Sequence, residues 1–121
     1  MKPIEKRQTY SPTGHTEKSD REMEIDAWKI EQTKRQADAE GVDITINHLT
    51  VLAFLRAFYV EFGWPKNTHE LSQILDERFE HIGGNKYLHN LFPDGPIAQG
   101  TRLAGVPTPN YAVDKSFGST Y

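Results

Sequence analysis

The stretch Ile46–Pro65, "INHLTVLAFLRAFYVEFGWP", decides the fold. Leu49, Leu52, Ala53, Leu55, Phe58, Tyr59 and Phe62 recur at the three- and four-residue spacing that gathers side chains on one face of a helix. The segment therefore reads as the buried central helix of an α domain. Thr45 stands where a hydroxyl can accept a free amide of the first turn. Gly63 ends the helix and Pro65 prevents it from resuming. The aromatic stripe of Phe54, Phe58, Tyr59 and Phe62, with Trp64, has by its spacing the character of core rather than of a cofactor pocket.

Working outward, Thr68 opens a second helix with Leu71, Ile74, Leu75 and Phe79 inward. His81-Ile82-Gly83-Gly84 breaks the chain, and Asn85 caps a short helix through Lys86, Tyr87, Leu88 and Leu91. Pro93-Asp94-Gly95-Pro96 is a turn, and a further short helix runs from Ile97 to Ala104, ended by Gly105. Upstream, Met23 to Glu40 reads as one helix, capped near Asp26, stopped by Gly41 and buried through Ile25, Trp28 and Ile30. Residues 1–21 carry only scattered apolar side chains and read as a polar mobile tail or a degenerate hairpin. The expectation is a mainly α fold, an array of about five helices with an extended C-terminal arm. It becomes a small α+β fold if the N-terminal region forms a β-hairpin or short meander. The division that follows is 1–21 as tail, 22–105 as helical domain and 106–121 as arm with extension.

The chain has 121 residues and a formal charge of -3, with 36% hydrophobic and 26% charged residues. That is one modest domain with no global positive field to draw it to nucleic acid or an anionic membrane. No apolar run approaches the roughly 18 residues of a membrane span, and the N-terminus lacks the apolar segment of a signal peptide, so a cytoplasmic protein is expected. Cysteine is absent. Disulfides, thiolate nucleophiles, persulfide carriage and cysteine-ligated iron–sulfur centres are thereby excluded from this chain. The five histidines lie on separate segments without ligand spacing, so no metal and no cofactor is expected. The pairs Glu77 with Glu80 and Asp38 with Glu40 fall on polar helix faces and read as solvated.

The segment Gly95–Val113, "GPIAQGTRLAGVPTPNYAV", carries three prolines, three glycines and Arg102 as its one charge. Pro107 and Pro109 stiffen it, Gly105 permits a turn at its root, and Tyr111 offers an aromatic anchor. In order along the chain, Trp28, "FLRAFY" at Phe54–Tyr59, "NKYL" at Asn85–Leu88, "LFPDGP" at Leu91–Pro96, Gln99 and "AGVPTP" at Ala104–Pro109 resemble the DsrC/TusE family of sulfur-relay proteins. The resemblance covers about Asp26 to Val113. It implies a helical scaffold whose C-terminal arm enters a partner's active site carrying a penultimate cysteine, with a second cysteine one short helix upstream in some members.

On that pattern the two cysteine positions are Thr101 and Ala112, and eight further residues, Asp114 to Tyr121, extend beyond the usual terminus. A persulfide needs a polarisable sulfur, which a threonine hydroxyl does not supply, and no neighbouring base activates Thr101 as a nucleophile. No catalytic residue is therefore assigned. The expected role is binding a sulfur-metabolism partner, sulfite reductase-like or a tRNA-thiolation complex, in a regulatory, competing or scaffolding capacity. Tyr111, Ala112 and Val113 would enter the partner on the stiff Pro107–Pro109 arm, with Lys86, Tyr87, Gln99 and Arg102 supporting the arm root or facing the partner. Two alternatives stay open. One is a DNA-binding regulator using the two helices around His81–Asn85, although the segment Lys86–Phe92 holds a single basic residue. The other is an accessory subunit in the sulfur relay that forms tRNA 2-thiouridine.

Overall fold

A computed structural model describes residues 17–111, and among them six α-helices and no strand are found. The helices are α1 (Lys18–Ile25), α2 (Ile30–Glu40), α3 (Ile46–Phe62), α4 (Thr68–Arg78), α5 (Gly84–Leu91) and α6 (Ala98–Ala104). A 3-10 turn, Glu80–Ile82, joins α4 to α5. None of them is long and apolar enough to cross a membrane.

The central helix forms, but its buried face differs from the expected one: Val51 is buried, whereas Ala53, read as inward, is exposed. The Thr45 hydroxyl accepts from the His48 amide, and the His48 ring reaches back to the Thr45 amide at 3.1 Å. Val51, Leu52, Leu55 and Tyr59 are buried along α3, which packs against both α1 and α6, while α2 packs on α6 and α4 on α5. The aromatic stripe is only partly core. Tyr59 and Trp64 are buried, Phe54 and Phe58 are half-buried, and Phe62 is 65% exposed, although its ring lies 4.9 Å from that of Phe58.

The single helix expected over Met23–Glu40 is two helices. The carbonyl of Ile25 accepts from the Trp28 amide and from Nη2 of Arg56, which ends α1. The side chain of Gln32 then accepts from the Lys29 amide at 2.7 Å and starts α2 afresh. As a result Ile30 is exposed and Trp28 half-buried, and the buried residues of α2 are Thr33 and Ala37. Helix α1 also begins at Lys18, inside the segment read as tail. Its Arg21 is buried, donating from Nε to Val60 O (3.0 Å) and from Nη2 to Glu61 O (3.2 Å), and so satisfies carbonyls at the end of α3. A hairpin or meander before residue 17 lies outside the described residues.

Two caps also differ. The side chain of Asn67, rather than Thr68, accepts from the Glu70 amide to open α4. Helix α5 starts at Gly84, and Asn85 is inside it. The carboxylate of Asp76 accepts from the Asn85 amide, and the Asn85 side chain donates to Ser72.

Candidate functional site

Besides the core contacts of Leu103, Ala104 and Val106, helix α6 and the segment after it are held to the body by their main-chain carbonyls. Thr33 Oγ1 donates to Leu103 O at 2.7 Å and itself accepts from Trp28 Nε1 at 2.8 Å. Arg56 Nη1 donates to Ala104 O at 2.6 Å. Beyond the left-handed turn at Gly105, Trp64 Nε1 donates to Pro107 O at 2.7 Å. These donors come from α2, α3 and the α3–α4 junction, and they satisfy the end of α6, where helical carbonyls have no partner within the helix. In return the Tyr111 hydroxyl donates to Pro65 O at 3.0 Å. Burial, and the charge of Glu70, push the Tyr111 phenol up to about 12.

The extended arm expected from Pro107 and Pro109 is thus folded back as far as Tyr111. Residues 107–109 are irregular, but Pro109 is buried and Tyr111 packs against the core. Ala112 and Val113 lie outside the described residues.

Thr101, which the resemblance puts at the upstream cysteine position, is fully buried. Its hydroxyl donates to Ile97 O at 2.7 Å and stands 2.8 Å from the Thr108 hydroxyl, which bridges α6 to the folded-back segment. This geometry holds α6 in place and leaves the hydroxyl no access to solvent or to a base.

Gln99 and Arg102 meet on one side of α6. Arg102 grips Glu40 with two parallel bonds, Nε to Oε2 at 2.9 Å and Nη2 to Oε1 at 2.8 Å, and also reaches Asp94 at 2.6 Å. Gln99, buried, donates to Glu40 and accepts from the Asp94 amide, and Gln36 donates to Glu40 as well. The Arg102 guanidinium holds the Glu40 carboxyl down at about 2 against the opposing effect of burial, and the same pairing raises Arg102. The cluster ties α6 to α2 and to the Pro93–Pro96 turn. Lys86 is exposed on α5, and Tyr87 accepts from Asn47 at 2.7 Å, so these two sit at the junction of α3 and α5.

Reading the sequence alone missed Arg21, Arg56 and Thr33, whose work is done on carbonyls distant in the chain. Only Arg56, between Leu55 and Ala57, stood among apolar neighbours, while Arg21 and Thr33 lie in polar stretches that carried no local signal. His48 is buried as a cap and bonds Leu91 O at 2.8 Å, and among the described residues no cluster of His, Asp or Glu suits a metal.

Residues 13–113 match the family described as DsrC like protein. The chain is 35% identical over 88 residues to sulfurtransferase TusE of Pectobacterium atrosepticum, a match covering 72% of this chain and 81% of that relative. It is 39% identical over 71 residues to sulfurtransferase TusE of Salmonella choleraesuis, covering 58% and 65%. It is 38% identical over 74 residues to the protein of that name in Escherichia coli K12, covering 60% and 68%. The matched segment therefore spans just under two thirds of the Salmonella relative. No solved structure gives a significant match. With the family match running through all six helices and the folded-back segment, the resemblance carried by "FLRAFY", "LFPDGP" and "AGVPTP" is borne out, and the chain belongs to the DsrC-like family.

Proposed function

We propose that this chain is a DsrC/TusE-like protein that binds a protein partner of sulfur metabolism, sulfite reductase-like or a tRNA-thiolation complex, without carrying sulfur itself. Its role on that partner is to regulate, compete or scaffold. The observation that supports this most directly is Thr101. The chain has no cysteine, and the hydroxyl at the upstream position is buried and committed to Ile97 and Thr108. Because Tyr111 is used on Pro65, partner contact falls to Ala112, Val113 and the residues after them, with Pro107 and Pro109 setting the direction of departure.

Calorimetry against a candidate partner, comparing the full chain with versions ending at residues 113 and 111, tests this reading. Removal of 112–121, which leaves the bonds of Pro107, Thr108 and Tyr111 intact, is expected to weaken binding at least tenfold, about 1.4 kcal/mol. Equal affinities for all three would refute an arm-mediated role. Incubation of the native chain with a persulfide donor is expected to leave its mass unchanged, whereas Ala112→Cys gains one sulfur.

The DNA-binding reading has little to draw on. Lys86 and Asn90 are exposed on α5, but Asn85 is spent on Ser72 and Tyr87 on Asn47. No observation favours it.

A further inference from the structure

Arg56 is a half-buried cation whose hydrogen bonds to the described residues all go to uncharged groups. Its Nη1 and Nη2 each donate once, to the carbonyls of Ala104 and Ile25. A guanidinium has five N–H groups, so Nε and one further hydrogen on each Nη are left over. Among the described residues no carboxylate lies within ion-pairing distance of it, and Asp26 acts on it only at longer range. Burial lowers its pKa, as expected of a charge taken from water without a full counter-charge.

Beside this guanidinium lies a cavity of about 250 Å³. Its walls are apolar, from Trp28, Ile30, Leu49, Leu52 and Ala53, and its charged residues are Arg56 and Lys29, with no acid among them. Arg56 and Ala53 also border a neighbouring groove between α1 and α3, and the acids Asp26, Glu22 and Glu61 stand on that side. A half-open pocket with largely hydrocarbon walls and a forked cation is the combination that recognises an anionic head on a short apolar tail.

We propose that this cavity binds a small organic monocarboxylate, its carboxylate taken by the spare N–H groups of Arg56 with added attraction from Lys29, and its tail laid against Leu49, Leu52 and Trp28. The pocket adjoins the root of the C-terminal arm through Arg56 and Ala104, but the proposal does not rest on the partner-binding reading.

Nuclear magnetic resonance on the full chain tests it with hexanoate as probe. The indole N–H of Trp28 reports the cavity, and that of Trp64, bonded to Pro107, serves as internal control. Millimolar hexanoate is expected to shift the Trp28 signal saturably and leave Trp64 in place. The neutral hexanamide is expected to bind at least tenfold more weakly. Arg56→Gln is expected to abolish the shift, but it also removes two carbonyl bonds that hold the fold. Ala53→Leu, at an exposed position on the cavity wall, narrows the cavity while keeping the guanidinium and its two carbonyl bonds, and is expected to weaken hexanoate at least tenfold. Equal binding of hexanoate and hexanamide, unchanged binding to Ala53→Leu, or no saturable shift of Trp28 would overturn the proposal. Displacement of hexanoate by equimolar sulfate would overturn it in favour of a bare anion site.

Discussion

The indole of Trp28 fills the space in which a side chain at Gly105 would begin: a Cβ built there overlaps its five-membered ring. Gly41 has nearly the same backbone, φ 74° against 73°, with nothing within 4 Å of its missing Cβ. Alanine at the two sites therefore separates backbone strain from steric overlap. Gly41→Ala should cost about 1–2 kcal/mol, the left-handed penalty alone. Gly105→Ala should cost that and a further amount of about 1–3 kcal/mol for overpacking. Urea unfolding measures both, and equal losses would mean that the indole yields freely.

Leu55 is fully buried at the middle of α3, and Phe62 is 65% exposed at its end. Leu55→Ala should lower stability by about 2–5 kcal/mol. Phe62→Ser should stay within about 0.5 kcal/mol of the native chain, as expected for a surface position. Thermal unfolding of the pair checks the burial assignment along the helix in one experiment.

The carboxyl of Glu40 is drawn from 4.5 to about 2, chiefly by Arg102. In the unfolded chain it takes up a proton before the folded protein lets it do so, so its contribution to stability is complete above pH 4.5 and is lost as pH falls through about 2. Glu40→Gln is expected to be less stable than the native chain at pH 7, with the difference closing across that window. A constant difference would show that Glu40 acts through packing and not through charge.

Thr101→Cys should yield a thiol that small disulfide reagents reach only after unfolding, since the position has no exposed surface. Thiol titration with and without denaturant reads this directly. Fast reaction in the native state would mean that α6 opens readily from the body.

Where local rules act, the sequence was legible. Thr45 as cap, Gly41 and Gly63 as stops, and the Leu52–Leu55–Tyr59 face of α3 each depend on residues within a turn or two of one another. The break between α1 and α2 was not, because it depends on Arg56 reaching Ile25 from 31 positions away. The folded-back segment escaped for the same reason. Two prolines do predict an irregular chain, but whether it projects or docks is settled by Trp64 and Tyr111, 43 and 46 positions from their partners. The site's polar cluster was half visible: Gln99 and Arg102 stood out, while Glu40, their common partner, read as a solvated acid until the fold brought α2 alongside α6.

Thr33, Arg56 and Trp64 hold Leu103, Ala104 and Pro107 by the carbonyl oxygen, an atom that every amino acid presents alike. Even proline, which has no amide hydrogen to offer, serves fully at 107. These three bonds read the path of the main chain and not the side chains at 103, 104 and 107, although Gly105 between them must stay glycine. Substitutions at Leu103, Ala104 or Pro107 that keep the main-chain path consequently leave these three bonds in place.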